Sequence, residues 1–111
     1  MGETNRRSLL LKVLSDQYIL KIIAYSAYTP RSIPEMSQNL RIPIASCYRK
    51  VKLLEQVGLI EKVGSKLTIE GKRVALYRSK VNRLSMEMHG SKMVIKIKID
   101  DRILQYNMDV I

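Results

Sequence analysis

The hydrophobic period of this chain changes at Gly58, and that change constrains its fold more than any other feature. Before Gly58 the spacing is helical. Ile19, Ile22, Ile23 and the small Ser26 fall at i, i+3, i+4 and i+7 within residues 8–28. Ser15 or Asp16 can divide that stretch into a short leading helix and a longer capped one. Ser32 and Glu35 form an S-x-x-E capping box, with Pro34 in the first turn, so residues 32–40 should be a short helix. The stretch 41–43 is a three-residue join. Pro43 should open a third helix running to about Val57, which Gly58 ends because glycine accepts positive φ.

After Gly58 the pattern becomes that of strands. Residues 59–63 read as one strand, 64–72 as a turn-rich tip with two glycines, and 73–81 as a second strand with Val74, Leu76 and Arg78 on one face. A hairpin over 83–99 turns at Gly90-Ser91. It sets Met88 against Met93, Met86 against Ile95 and Leu84 against Ile97 on an apolar face. Glu87 meets Val94, Ser85 meets Lys96, and Arg83 meets Lys98 on the opposite face. Leu104, Tyr106, Met108 and Val110 alternate with Gln105, Asn107 and Asp109. Residues 103–111 therefore read as a further strand, with a short helix using Leu104, Met108 and Ile111 as the alternative. The expected class is α+β: a domain over 1–80, and a C-terminal antiparallel hairpin or meander over 81–111 that either packs on that domain or forms a dimer contact.

Twenty basic residues face ten acidic ones, a formal net charge of +10 in 111 residues. The surplus is concentrated. Residues 41–83 hold eleven lysines and arginines against Glu55, Glu61 and Glu70. Such a field favours polyanions. An anionic membrane surface fits less well, because the basic residues are interleaved through patterned elements and not gathered beside an apolar helix face. No apolar run has the length of a membrane span. The single cysteine rules out an intramolecular disulfide, and a cytoplasmic protein is expected.

On a helix at 44–57, Ile44, Cys47, Val51 and Leu54 share one arc and should pack inward. Ala45, Arg49, Lys52 and Gln56 point the other way, with Ser46, Tyr48 and Lys50 on the flanks. Small side chains near the N-terminus followed by Arg and Lys suit a major groove, where phosphate is attracted to the helix start and Arg can bond a guanine edge.

The order and spacing of "LSD" (14–16), the helix beginning at Ser32, the turn at Ile42-Pro43, "SCYRKVKLL" (46–54) and "VGLIEK" (57–62) resemble the winged helix-turn-helix of ArsR-type transcriptional regulators. The likeness spans about residues 8–80 and is greatest to the small archaeal members. It implies a sequence-specific binder of double-stranded DNA, acting as a homodimer. The helix at 44–57 would be the recognition helix, with Pro43, Ala45, Ser46, Tyr48, Arg49, Lys50 and Lys52 at the groove. Residues 59–79 would be the wing, with Lys62, Lys66, Lys72 and Arg73 on phosphates. Two features differ. The chain has none of the Cys pairs or His and carboxylate clusters with which many of these regulators sense metals, and it ends in strands where they carry a dimerisation helix.

Other candidates are weaker. Cys47 reads as a small core residue; a thiol switch would need Arg49 and Lys50 to lower its pKa. His89 alone cannot build a metal site, Asp100-Asp101 suits a turn, and Met86, Met88 and Met93 lie at strand spacing as core. There is no phosphate-binding glycine loop and no nucleophile–base pair, so neither an enzyme nor a cofactor is expected. An RNA-binding module, or a protein-interaction subunit of a transcription or replication assembly, would share the same charge and pattern. The small-molecule effector, if the chain has one, cannot be read from these residues.

Overall fold

A computed structural model describes residues 11–111; the start of the helix expected from Ser8 lies outside them. The described helices are a segment at 11–14 (α1), Gln17–Tyr25 (α2), Ile33–Leu40 (α3) and Ile44–Gln56 (α4). Five strands follow: Ile60–Leu67 (β1), Arg73–Ser79 (β2), Val81–His89 (β3), Lys92–Ile99 (β4) and Arg102–Asp109 (β5). The class is α+β, with an antiparallel C-terminal region that exceeds a single hairpin.

The helix boundaries follow from local chemistry. Asp16 caps α2 by accepting the N–H groups of Tyr18 and Ile19 at 2.9 and 3.3 Å. These are donors that a helix start otherwise leaves unsatisfied. Ser32 and Glu35 complete the reciprocal capping box of α3. Arg41 ends α3 in the left-handed region (φ 57), and its N–H returns to the Ser37 carbonyl. This costs a non-glycine residue about 1–2 kcal/mol. Ser37 then donates its hydroxyl to the Ile42 carbonyl, and Pro43 begins α4. The join is three residues long, as its sequence requires.

Ile22, Met36, Ile42, Cys47, Val51, Leu54 and Leu59 are buried between the helices. Each large apolar side chain so buried contributes roughly 1.5–3 kcal/mol. Ile44 is a correction. It was expected on the inward arc, yet it is 53% exposed. It sits in the first turn of α4 at the edge of the apolar stripe, where it lines an open cleft beside Ile33 and Pro34 of α3 and is only partly covered.

The strand boundaries also differ from the sequence reading. β1 continues to Leu67, so the tip contracts to 68–72, and the second strand ends at Ser79 rather than at Val81. The β1–β2 register shifts between Lys62 and Gly64, where Val63 is the extra residue of a bulge. Val63 and Leu67 are both exposed. Solvent on both sides of this stretch removes the alternation by which a strand is recognised. Val74, Leu76 and Arg78 share one face of β2 as expected, and the buried side chains, Tyr77 and Ser79, lie on the other. Tyr77 exchanges both backbone hydrogen bonds with Arg31 at 2.8 Å, so the loop before α3 adds a one-residue third strand beside β2.

β3, β4 and β5 form a separate sheet in that order. All six side-chain pairings expected in the hairpin occur, and Gly90 takes the first turn position at φ 65. Residues 102–109 form a strand, and Asp100-Asp101 is the turn before it. Ile95, Ile97, Ile99 and Tyr106 join one core with Val13 and Leu14, so the chain covers part of its own apolar sheet face. Met86 and Met88 on β3 remain 50% and 57% exposed. Among the described residues, no helix is long and apolar enough to cross a membrane.

Candidate nucleic-acid interface

Burying Cys47, Val51 and Leu54 fixes the rotation of α4. Ala45, Tyr48, Arg49, Lys52 and Gln56 are thereby turned to solvent, while Ser46 and Lys50 lie half-buried on one flank. Pro43 makes no side-chain cap, so no side chain satisfies the N–H groups of the first turn. The positive end of the helix dipole is left open beside these residues.

Two clefts of about 330 Å³ each run along α4. One is apolar, between Ile33 and Pro34 of α3, Ile44 and Tyr48 of α4, and Val74, Ala75 and Tyr77 of β2. The other is charged, and sets Ser46, Arg49 and Lys50 against Lys12 and Asp16. The helix surface is therefore flanked by a greasy side facing the hairpin and an ionic side facing the α1–α2 joint.

The basic residues have different local partners. Arg49 donates to Ser46 Oγ at 3.2 Å and stays exposed. Lys52 donates to the Tyr77 hydroxyl at 3.3 Å, lies 3.5 Å from Glu55, and has its ammonium over the Tyr48 ring at 5.4 Å. The Tyr77 bond, followed by its charge interaction, raises the Lys52 pKa, so the ammonium stays protonated. Lys50 is committed elsewhere. It pairs with Asp16 Oδ2 and lies near the Tyr18 ring. Burial alone would raise the Asp16 pKa, but the Lys50 bond and the two amide bonds outweigh it and hold the carboxyl below its ordinary value.

The hairpin shows the same division. Lys62, Lys66, Lys72 and Arg73 are all exposed. The Val63 bulge puts Lys62 on the Tyr77 side and Lys66 on the Val74 side. Lys66 reaches Glu35 at 3.8 Å, and Glu35 also binds Arg31 at 3.5 Å, so this carboxylate ties β1 to the start of α3. Arg73 donates to Ser65 across the strands. Lys62 and Lys72 are paired with no carboxylate among the described residues.

Sequence reasoning missed Arg31, Glu35 as a hub, Tyr77 and the Asp16–Lys50 pair. The contacts that give them these roles, Arg31 to Tyr77, Lys66 to Glu35, Lys52 to Tyr77 and Lys50 to Asp16, are distant in sequence, although the Arg31–Glu35 pair itself is local at i,i+4. Cys47 is fully buried, its Sγ 3.8 Å from the Ile33 carbonyl, and burial pushes its thiol pKa up. The cations expected to activate it point to Ser46 and Asp16, so the core reading fits. Among the described residues, no three His, Cys, Asp or Glu side chains converge as a metal site. No protein-family model matches the chain, and no curated protein matches it in sequence.

Proposed function

We propose that this chain is a winged helix-turn-helix protein that binds double-stranded DNA as a transcription regulator. In this reading α4 enters the major groove, and the β1–β2 hairpin is the wing on the adjacent backbone. One observation carries the reading. A three-residue join from α3 presents an α4 surface of Ala45, Tyr48, Arg49 and Lys52 with no acid among them, followed in sequence by a basic hairpin. Small residues at the uncapped start let the helix approach bases, and Arg49 is the side chain suited to a guanine edge. Lys62, Lys72 and Arg73 supply sequence-independent attraction. Lys50 and Lys66 contribute less, because Asp16 and Glu35 already neutralise them.

Selection from a random duplex library at near-physiological salt tests this. A recovered motif, weakened by about 1–3 kcal/mol in Arg49→Ala, supports base reading by α4. Lys72→Ala should weaken all sequences alike and flatten the salt dependence by about one contact. If both variants bind like the parent, the helix and wing assignments fail. Preference for structured RNA over duplex DNA would replace the reading with an RNA-binding one. The apolar cleft beside α4 favours a second reading, a protein-interaction subunit, whose signature is salt-sensitive DNA binding with no motif.

A further inference from the structure

We propose that β3 pairs antiparallel with β3 of a second copy of this chain, about a two-fold axis at Ser85, joining the two three-stranded sheets into one. β3 is an edge strand with no neighbour on its outer side among the described residues. It is nine residues long and contains no proline, and its only irregularity is the bulge near Asn82. Such an edge is a template for another strand. Residues flanking a two-residue turn form the hydrogen-bonded pair, and the pattern alternates from there. Counting back from His89 and Lys92, the peptide groups of Leu84 and Met86 face away from β4 and are available to a partner. Met86 and Met88, both on β3, are large apolar side chains left open on this sheet's core-facing side.

The register follows from charge. Two antiparallel copies keep their apolar and polar faces aligned only when the axis passes through a residue. Of the registers centred on a residue of β3, only the one at Ser85 sets Arg83 opposite Glu87 of the partner subunit, and it does so twice. The same register puts Leu84 opposite the partner's Met86, extending the Leu84–Ile97–Leu104 and Met86–Ile95–Tyr106 rows of the apolar face. It also brings the partner's Glu87 beside the Arg83–Lys98 pair, two like charges facing each other within one subunit. Among the described residues, the ionic partner of Glu87 is the exposed His89, at 3.1 Å. Centring on Met86 would place Arg83 opposite His89, and centring on Glu87 would oppose two carboxylates. The other edge, β5, has no equivalent. Its Arg102 and Asp109 lie an odd number of residues apart and so on opposite faces, and no register that keeps the faces aligned brings them together.

This interface does not depend on DNA binding, and its test reads mass alone. The full-length chain should be a dimer by light scattering. Glu87→Arg and Arg83→Glu should each halve the mass by opposing like charges, and the double exchange should restore it. Arg83 and Glu87 are both exposed on the polar face, and circular dichroism checks that the variants fold. Independently, Ser85→Cys should form an intermolecular disulfide under mild oxidation, because residue 85 meets its own copy, whereas Glu87→Cys should not. A monomeric parent, single charge reversals that remain dimeric, or cross-linking through Glu87→Cys in place of Ser85→Cys would each overturn the proposal.

Discussion

Asp16 joins stability to the candidate interface, and replacing it should move the two in opposite directions. Its carboxylate caps α2 through two backbone N–H groups and pairs with Lys50 of α4. Losing an N-cap costs about 1 kcal/mol. The partly buried ion pair adds ~0.5–1 kcal/mol, at the upper end of what exposed pairs give. Asp16→Ala should therefore cost about 1.5–2 kcal/mol. Asp16→Asn keeps the cap, loses only the pair, and should cost no more than ~1 kcal/mol, or roughly 4 °C in Tm. Because the folded carboxyl titrates below its ordinary value, its contribution is present above that ordinary value and is lost as pH falls through the folded one. Denaturation curves of the parent and Asp16→Asn should thus differ at neutral pH and converge in acid. The same variant releases the Lys50 ammonium toward the cleft it shares with Ser46 and Arg49. Duplex DNA should then bind more tightly, with a salt slope steeper by about one contact. Equal stability of parent and Asp16→Asn at neutral pH, or a gap that persists in acid, would refute the electrostatic argument. Weaker DNA binding by Asp16→Asn would refute the link to α4.

Three further outcomes can be checked. Arg41→Gly should stabilise the protein by up to about 1 kcal/mol in chemical denaturation, since relief of the left-handed backbone exceeds the glycine entropy cost; a lower midpoint would contradict it. Tyr77→Phe removes the hydroxyl that positions Lys52, so discrimination between DNA sequences in competition binding should drop while the salt slope stays the same. Cys47 should resist thiol reagents until denaturant is added, and peroxide should leave DNA affinity unchanged.

The readability of each element depended on how many of its faces are buried. β3 and β4 were legible to the residue pair because an apolar face, a polar face and a glycine-first turn all demand one register. The caps of α2 and α3 were legible because their hydrogen bonds close within three residues. β1 was not, since both faces near its tip meet solvent and the Val63 bulge breaks what period exists. Ile44 differs because helical periodicity gives direction and not cover, and the cleft it lines between α3 and β2 is open to solvent. At the candidate interface the exposed residues of α4 followed from its buried stripe. Their pairing did not follow, because Lys50 meets Asp16 across 34 residues and Lys66 meets Glu35 on a different element.

This pairing changes what the charge surplus means. Eleven basic residues over 41–83 look from sequence like one uniform attractive field. In the fold, Lys50 and Lys66 answer carboxylates on α2's cap and on α3, and they act as ties between elements. Lys52 is held between two tyrosines and Glu55, and Arg49 rests on Ser46, so the two cations best placed on α4 are positioned before any ligand arrives. Of the four cations assigned to phosphates on the wing, only Lys62 and Lys72 have neither a carboxylate nor a hydrogen bond from their own side chains among the described residues, and the exposed Arg78 of β2 is equally free. A phosphate backbone gains most from mobile, unpaired cations, whose counterions it displaces. A base edge gains most from a donor whose geometry is already set. In the proposed DNA-binding reading, base recognition would therefore fall to α4 and non-specific attraction to the hairpin. That division comes from which lysines the fold has neutralised, and the count of basic residues in either element does not reveal it.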